Sequence, residues 1–237
     1  PAALHLSDLH IMEDVTTLKA NVSETLRYTL DTQCAGTKID LLFVSGDIVD
    51  SRKASAPSME QNYRYAEELL TEVAITLWCD SSGYLPHDWR RRVIITTGNH
   101  DYASMNQYQA TLKHRELAAA MPIDGESGTM SKFAYFVDFL IRFLDPPIDE
   151  LLRNDLNEIR YYRKLNLKVL ALNCSGAATP RRTNKMGVNS KKLQQLLNRD
   201  LWDKQPPDTT PSACDPFRVC VAHYSPQYEL SYFLDSY

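Results

Sequence analysis

Apolar and polar positions along this chain follow two periods, and the switches between them mark out the elements. Ala2 to Ser7 is a short β-type run. From about Val15 to Thr32 the apolar positions recur at helical spacing, with Asp14 placed to cap the helix. Ile39 to Ser45 is almost wholly apolar, as expected for a strand covered on both faces. Met59 to Leu77 predicts another helix, and Val93 to Thr97 a third buried strand. From Tyr102 to about Asn157 the pattern is mostly helical, broken at Pro122, Gly125, Gly128 and Pro146-Pro147. Inside that stretch Phe133, Phe136, Val137, Leu140 and Leu144 form an apolar stripe, read as ordinary packing.

Two β-type runs come next, Ile159 to Leu165 and Leu167 to Asn173, expected to pair antiparallel about a turn at Asn166. A helix from about Ser190 to Trp202 leads into a proline-rich loop, Gln205 to Pro216. The last predicted strand is Phe217 to Ala222, and a further helix is expected from Gln227. Strands alternating with helices indicate a layered α/β fold, and no internal repeat interrupts it.

Four polar clusters each follow one of the apolar runs directly. They are Asp8-Leu9-His10, Gly46-Asp47-Ile48-Val49-Asp50, Gly98-Asn99-His100-Asp101, and His223. Ligands in open α/β sheets bind beyond the carboxyl ends of the strands, so the four clusters are expected to share one site. Their residue types suit a metal pair. In an extended segment Asp8 and His10 would point to the same side and grip one cation. Asp47, with no lysine or arginine beside it in sequence, could bridge two. Asn99 offers an amide oxygen and His223 an imidazole nitrogen. A mixed oxygen and nitrogen set suits manganese, iron, zinc or magnesium chemistry better than a closed structural zinc site.

Two such ions can clamp a phosphoryl group and activate water. His100, whose type titrates near neutrality, could bind the phosphate oxygens or protonate the leaving group. Asp101 is expected to hold that imidazole in orientation. His5, inside the first strand, is read as a core or sheet-face residue, and His87 and His114 receive no function. Gly-Asn-His-Asp arises by chance in roughly one chain of this size per thousand at average residue usage.

At these residues the chain resembles the calcineurin-like metallophosphoesterase superfamily. The motifs of that family run Asp-x-His, Gly-Asp-x-x-Asp or Asn, Gly-Asn-His-Asp or Glu, a lone His after a strand, and Gly-His-x-His. The first four occur here in order from Asp8 to His223. The resemblance implies a single α/β domain over residues 1–237, built as a four-layer α/β/β/α sandwich. It implies that Asp8 and His10 bind one metal, that Asp47 bridges, and that Asn99 and His223 bind the second. His100 matches the catalytic histidine, and Asp50 a position that supports the loop. Nothing after His223 reads as Gly-His-x-His, so the longer protein is expected to carry that motif beyond Tyr237. Ser51 and Asp101 point away from the protein serine/threonine phosphatases, and the lack of a second-motif tyrosine points away from the purple acid phosphatases.

The resemblance therefore implies metal-dependent hydrolysis of a phosphate ester, with two divalent ions, manganese first. The alternatives are a DNA exo- or endonuclease of the same superfamily and a non-catalytic scaffold with a degraded site. A net charge of -4 and no basic stripe weigh against a nucleic-acid partner, leaving a small phosphate ester such as a nucleotide. No apolar run approaches the length of a membrane span. Five widely spaced cysteines without a Cys-x-x-Cys pair suggest free thiols and a cytoplasmic setting. The 102–157 insertion directly follows the third motif and could form a cap, with Tyr102, Met105, Asn106 and Tyr108 nearest to substrate; the alternative is an insertion that only decorates the fold. Arg181, Arg182 and Lys185 are read as a solvated basic loop.

Overall fold

The computed structural model describes residues 1–12, 15–50, 56–101, 133–175, 187–188, 190–200 and 215–223. In chain order the described elements are β1 (Ala3–Leu6), α1 (Thr16–Thr32), β2 (Leu41–Ser45), α2 (Ala56–Trp78) and β3 (Val93–Thr96). Then come α3 (Ala134–Leu144), α4 (Ile148–Arg153), β4 (Glu158–Tyr162), β5 (Leu167–Leu172), α5 (Ser190–Arg199) and β6 (Phe217–Ala222). Short 3-10 turns precede β3 at Trp89–Arg92 and β5 at Arg163–Leu165.

The strands form two three-stranded sheets. The first is β1-β2-β3, parallel throughout. The second is β4-β5-β6, in which β4 runs antiparallel to β5 and β6 parallel to it. The expected turn at Asn166 is present, since Asn166 sits in the left-handed region at φ 46°. β4 ends three residues earlier than the apolar run suggested, because Arg163–Leu165 tighten into the 3-10 turn.

Period-2 alternation decides what each strand face meets. In β2 and β3, Leu42, Val44, Val93 and Ile95 face the cluster shared with α1, α2 and α3. Leu41 and Ile94 face the other way and pack with Leu167, Val169, Ala171 and Val221 of the second sheet. The opposite face of β5, at Leu170 and Leu172, meets Leu193, Leu196 and Leu197 of α5. Burying each such aliphatic side chain contributes about 1.5–3 kcal/mol, so the sheet–sheet seam is a substantial fixed contact.

α3 is buried nearly all round. Beyond the predicted stripe, Ala134, Tyr135, Phe139 and Phe143 are also inside. It packs on α2, with Tyr63 and Phe139 stacked at 5.3 Å, and Arg142 on α3 pairs with Glu67 on α2. The described part of the 102–157 stretch thus belongs to the main core. Residues 102–132, with Tyr102, Met105, Asn106, Tyr108 and His114, lie outside the described residues. So do Asp14, Arg181, Arg182, Lys185, Cys214, most of the proline-rich loop and everything after His223. The four described cysteines, Cys34, Cys79, Cys174 and Cys220, are free. Among the described residues no helix is long and apolar enough to cross a membrane.

Candidate metal centre

Parallel strands deliver their carboxyl ends to one pole, and backbone hydrogen bonds keep the loops together past the last strand residue. Asp8 N–H donates to Gly46 O at 3.3 Å, His10 N–H to Asp47 O at 2.9 Å, and Ile11 N–H to Ile48 O at 2.8 Å. Asp8, His10 and Asp47 all lie at positive φ, 56°, 46° and 51°. That conformation is uncommon outside glycine and gathers at functional loops. Asp8 and His10 are therefore not an extended pair, as the spacing suggested. The left-handed turns bring them together instead, with His10 Nε2 3.9 Å from Asp8 Oδ1.

Two glycines are required by close approach of backbone. A Cβ on Gly46 would stand 2.6 Å from Gly98 Cα and 2.8 Å from His223 Cγ. One on Gly98 would collide with the Asp47 backbone nitrogen and carboxylate. The second and third loops touch at these residues, and that contact sets where Asp47 sits.

Asp47 is 2% exposed and is the centre of the cluster. Its Oδ1 accepts the backbone N–H of His100 at 2.8 Å. Its Oδ2 faces three imidazole Nε2 atoms: His223 at 3.1 Å, His100 at 3.7 Å and His10 at 3.8 Å. Among the described residues no lysine or arginine pairs with it. His223 donates Nδ1–H to the carbonyl of Ser45 at 2.6 Å, because a carbonyl oxygen can only accept. That bond directs Nε2 toward the cluster, the usual way a metal-binding imidazole is oriented. Burial opposes charge on His223, but the Asp47 carboxylate and the Ser45 carbonyl outweigh it and raise its pKa to about 9.

These residues fit a cation. Donor atoms held about 2.0–2.2 Å from one centre stand about 3.0–3.5 Å apart in tetrahedral or octahedral geometry. The gaps of 3.1–3.8 Å around Asp47 Oδ2 are mostly too long for hydrogen bonds and close to that spacing. Asp8, Asp47 and His223 each offer an atom within 4.8 Å of the others. A divalent ion at this point would neutralise the buried Asp47 carboxylate and give the three imidazoles that face it a common partner. Asn99 is buried at 5% exposure in the same turn, between Gly98 and His100.

His100 is 8% exposed, with its ring 5.2 Å from that of His10. The carboxylate facing its Nδ1 is Asp50, at 3.6 Å. The expectation that Asp101 would orient this ring is corrected. Asp101 is fully buried, and its Oδ1 accepts the backbone N–H groups of Ile48 and Val49 at 3.0 and 3.2 Å, its Oδ2 that of Gly98 at 2.8 Å. The Tyr63 hydroxyl lies 3.3 Å from Oδ1. Asp101 thus clamps the second loop to the third. Burial and the charge of Asp47 push its pKa up to about 7 against those backbone donors.

Sequence reasoning missed three contributors. Asp50 was visible in the second motif, but only its three-dimensional approach shows that it meets His100. The Ser45 carbonyl and the Tyr63 hydroxyl carry no signal in residue type or spacing. His5 behaves as a sheet-face residue, exposed on β1 with Nε2 2.6 Å from Ser45 Oγ.

The calcineurin-like phosphoesterase family model matches residues 2–228. No curated protein matches the chain.

Proposed function

Since this chain belongs to the calcineurin-like phosphoesterase family, we propose that it hydrolyses a small phosphate ester by metal-activated water, with His100 as the catalytic histidine. The family is metal-dependent, and its chemistry is phosphoester hydrolysis. The convergence of three imidazole nitrogens on Asp47 Oδ2 carries the reading. Two divalent ions, manganese first, would be held by Asp8 and His10 on one side and Asn99 and His223 on the other, with Asp47 between. Bound there, they would supply the Lewis acidity that makes water nucleophilic near neutral pH.

The chain's own residues do the rest. Asp47 Oδ1 accepts the His100 backbone N–H, which leaves Oδ2 facing the imidazoles, where it would help hold the ions. His100 presents Nε2 on the same side, where it can donate to a phosphate oxygen or to the departing alkoxide. Asp50, facing Nδ1, positions that ring. Asp101 keeps the loops in register and does not touch the reacting atoms. The net charge of -4 favours a small ester such as a nucleotide over nucleic acid. We read residues 1–237 as one domain, with the packing of α1–α3, the two sheets and α5 as its four layers. The free cysteines support a cytoplasmic setting.

The test is elemental analysis of protein purified without chelator, paired with hydrolysis of bis-p-nitrophenyl phosphate with and without added manganese. About two metals per chain and manganese-dependent turnover are expected. His100→Ala should cut turnover about 10²-fold or more while leaving bound metal intact. Metal-free, inactive protein would sink the proposal.

A further inference from the structure

The amino-terminal ends of the strands open on a second recess. A cleft of about 1270 Å³ lies between the start of β2 at Leu41, the turn before β3 and the turn before β5. β2 alone separates it from the metal centre by roughly 13 Å at about 3.3 Å per strand residue. Its lining carries eight arginine and lysine side chains against four carboxylates, although the chain as a whole is at -4.

Six of these cations fall into two groups. Arg160 is tied down, donating Nε–H to Glu158 and a terminal N–H to Val93 O, both at 2.6 Å. Arg92 pairs with Asp88 at 2.9 Å. Arg90 donates Nε–H to Phe143 O at 2.8 Å and lies over the Trp89 ring at 4.7 Å. Lys38, Arg91 and Lys164 are exposed and make no ion pair among the described residues. They stand on separate elements, before β2, before β3 and between β4 and β5, so they flank the seam of the two sheets from both sides.

We propose that this cleft docks an extended acidic peptide segment of a partner protein. Small-molecule pockets run to about 300–1,000 Å³ with convergent polar groups. This recess is larger and its unpaired cations are spread apart, which calls for several negative charges spaced along a chain. Guanidinium forks beside exposed lysines give directional donors for carboxylates together with long-range attraction. Leu165, Pro146 and Tyr161 place apolar surface between the charges, matching the mixed character of a peptide. The site lies away from the metal centre, so the inference stands whether or not the chain hydrolyses phosphate esters.

The experiment is fluorescence anisotropy with a labelled octaglutamate peptide at low salt. Binding should weaken at least about tenfold in Lys38→Glu/Arg91→Glu/Lys164→Glu. A triple reversal of the same charge elsewhere, Arg27→Glu/Arg64→Glu/Lys191→Glu, should bind like the parent. Thermal melting confirms that both variants fold, and Lys38→Ala/Arg91→Ala/Lys164→Ala replaces the cleft reversal if that one melts early. Equal binding by the cleft and control triples would overturn the proposal. So would binding of inorganic tripolyphosphate in the cleft without binding of the peptide, which would make it a small-polyanion site.

Discussion

The two sheets have the same number of described strands and carry the metal centre unequally. β1, β2 and β3 run parallel, and each ends in a loop that reaches the same pole, with Asp8 and His10, Asp47 and Asp50, then Asn99 and His100. Among the described residues the second sheet contributes His223 alone. Its β4 runs antiparallel to β5, so its carboxyl end at Tyr162 lines the basic cleft at the far pole instead. Strand direction therefore decides how many functional loops a sheet can bring to one place. The first sheet's loops at that pole hold three aspartate or histidine residues at positive φ and glycines in close backbone approach. The second sheet's contribution is a single imidazole, aimed by a carbonyl that belongs to the first.

Breaking the first sheet's centre should have the largest effect. Asp47→Ala is expected to drop turnover at least about 10³-fold and to release both metals together. Elemental analysis showing a full metal complement would refute its bridging role. Gly98→Ala comes next, because the new methyl occupies space held by the Asp47 backbone and carboxylate. It should cost about 10²-fold in turnover through misplacement of Asp47, with the far-ultraviolet circular dichroism unchanged. Wild-type kinetics would show that the two loops yield to each other.

The second sheet's share is tested by His223→Ala. Metal affinity should fall about 10–100-fold, and excess manganese should restore part of the turnover. If added metal restored nothing, the two sheets would be equal partners after all. Asp50→Asn should have the smallest effect, about tenfold in kcat with metal content unchanged, and should shift the pH profile because His100 loses a facing negative charge. A change in bound metal without a change in the profile would assign Asp50 to the metal centre instead.

Much of the frame was legible beforehand. β2 and β3 announced themselves because fully buried strands need nearly unbroken apolar runs. β4 and β5 showed their reversal through an asparagine that tolerates the left-handed turn. α3 was underestimated, since a stripe of five apolar positions predicts one buried face. The helix has a second buried face because it lies between α2 and the turn before β3, with Phe143 against Trp89 at 5.5 Å. The metal-centre residues were readable as types at strand ends. The partnership of His100 was not: the aspartate beside it in sequence, Asp101, is drawn off by three backbone donors, and the distant Asp50 faces its ring instead.

What the sequence determined by itself is therefore local, namely which segments become strands and which metal-binding residue types follow them. Apolar period and motif spacing are properties of neighbouring residues, and they survive without knowledge of the fold. Tertiary structure decided which carboxylate meets which imidazole, which oxygen of Asp47 is turned inward, and that unpaired cations gather at the opposite pole. Those outcomes depend on where loops distant in sequence cross. There the hydrogen-bonding capacity of each buried atom is allotted among competitors that residue type alone does not rank.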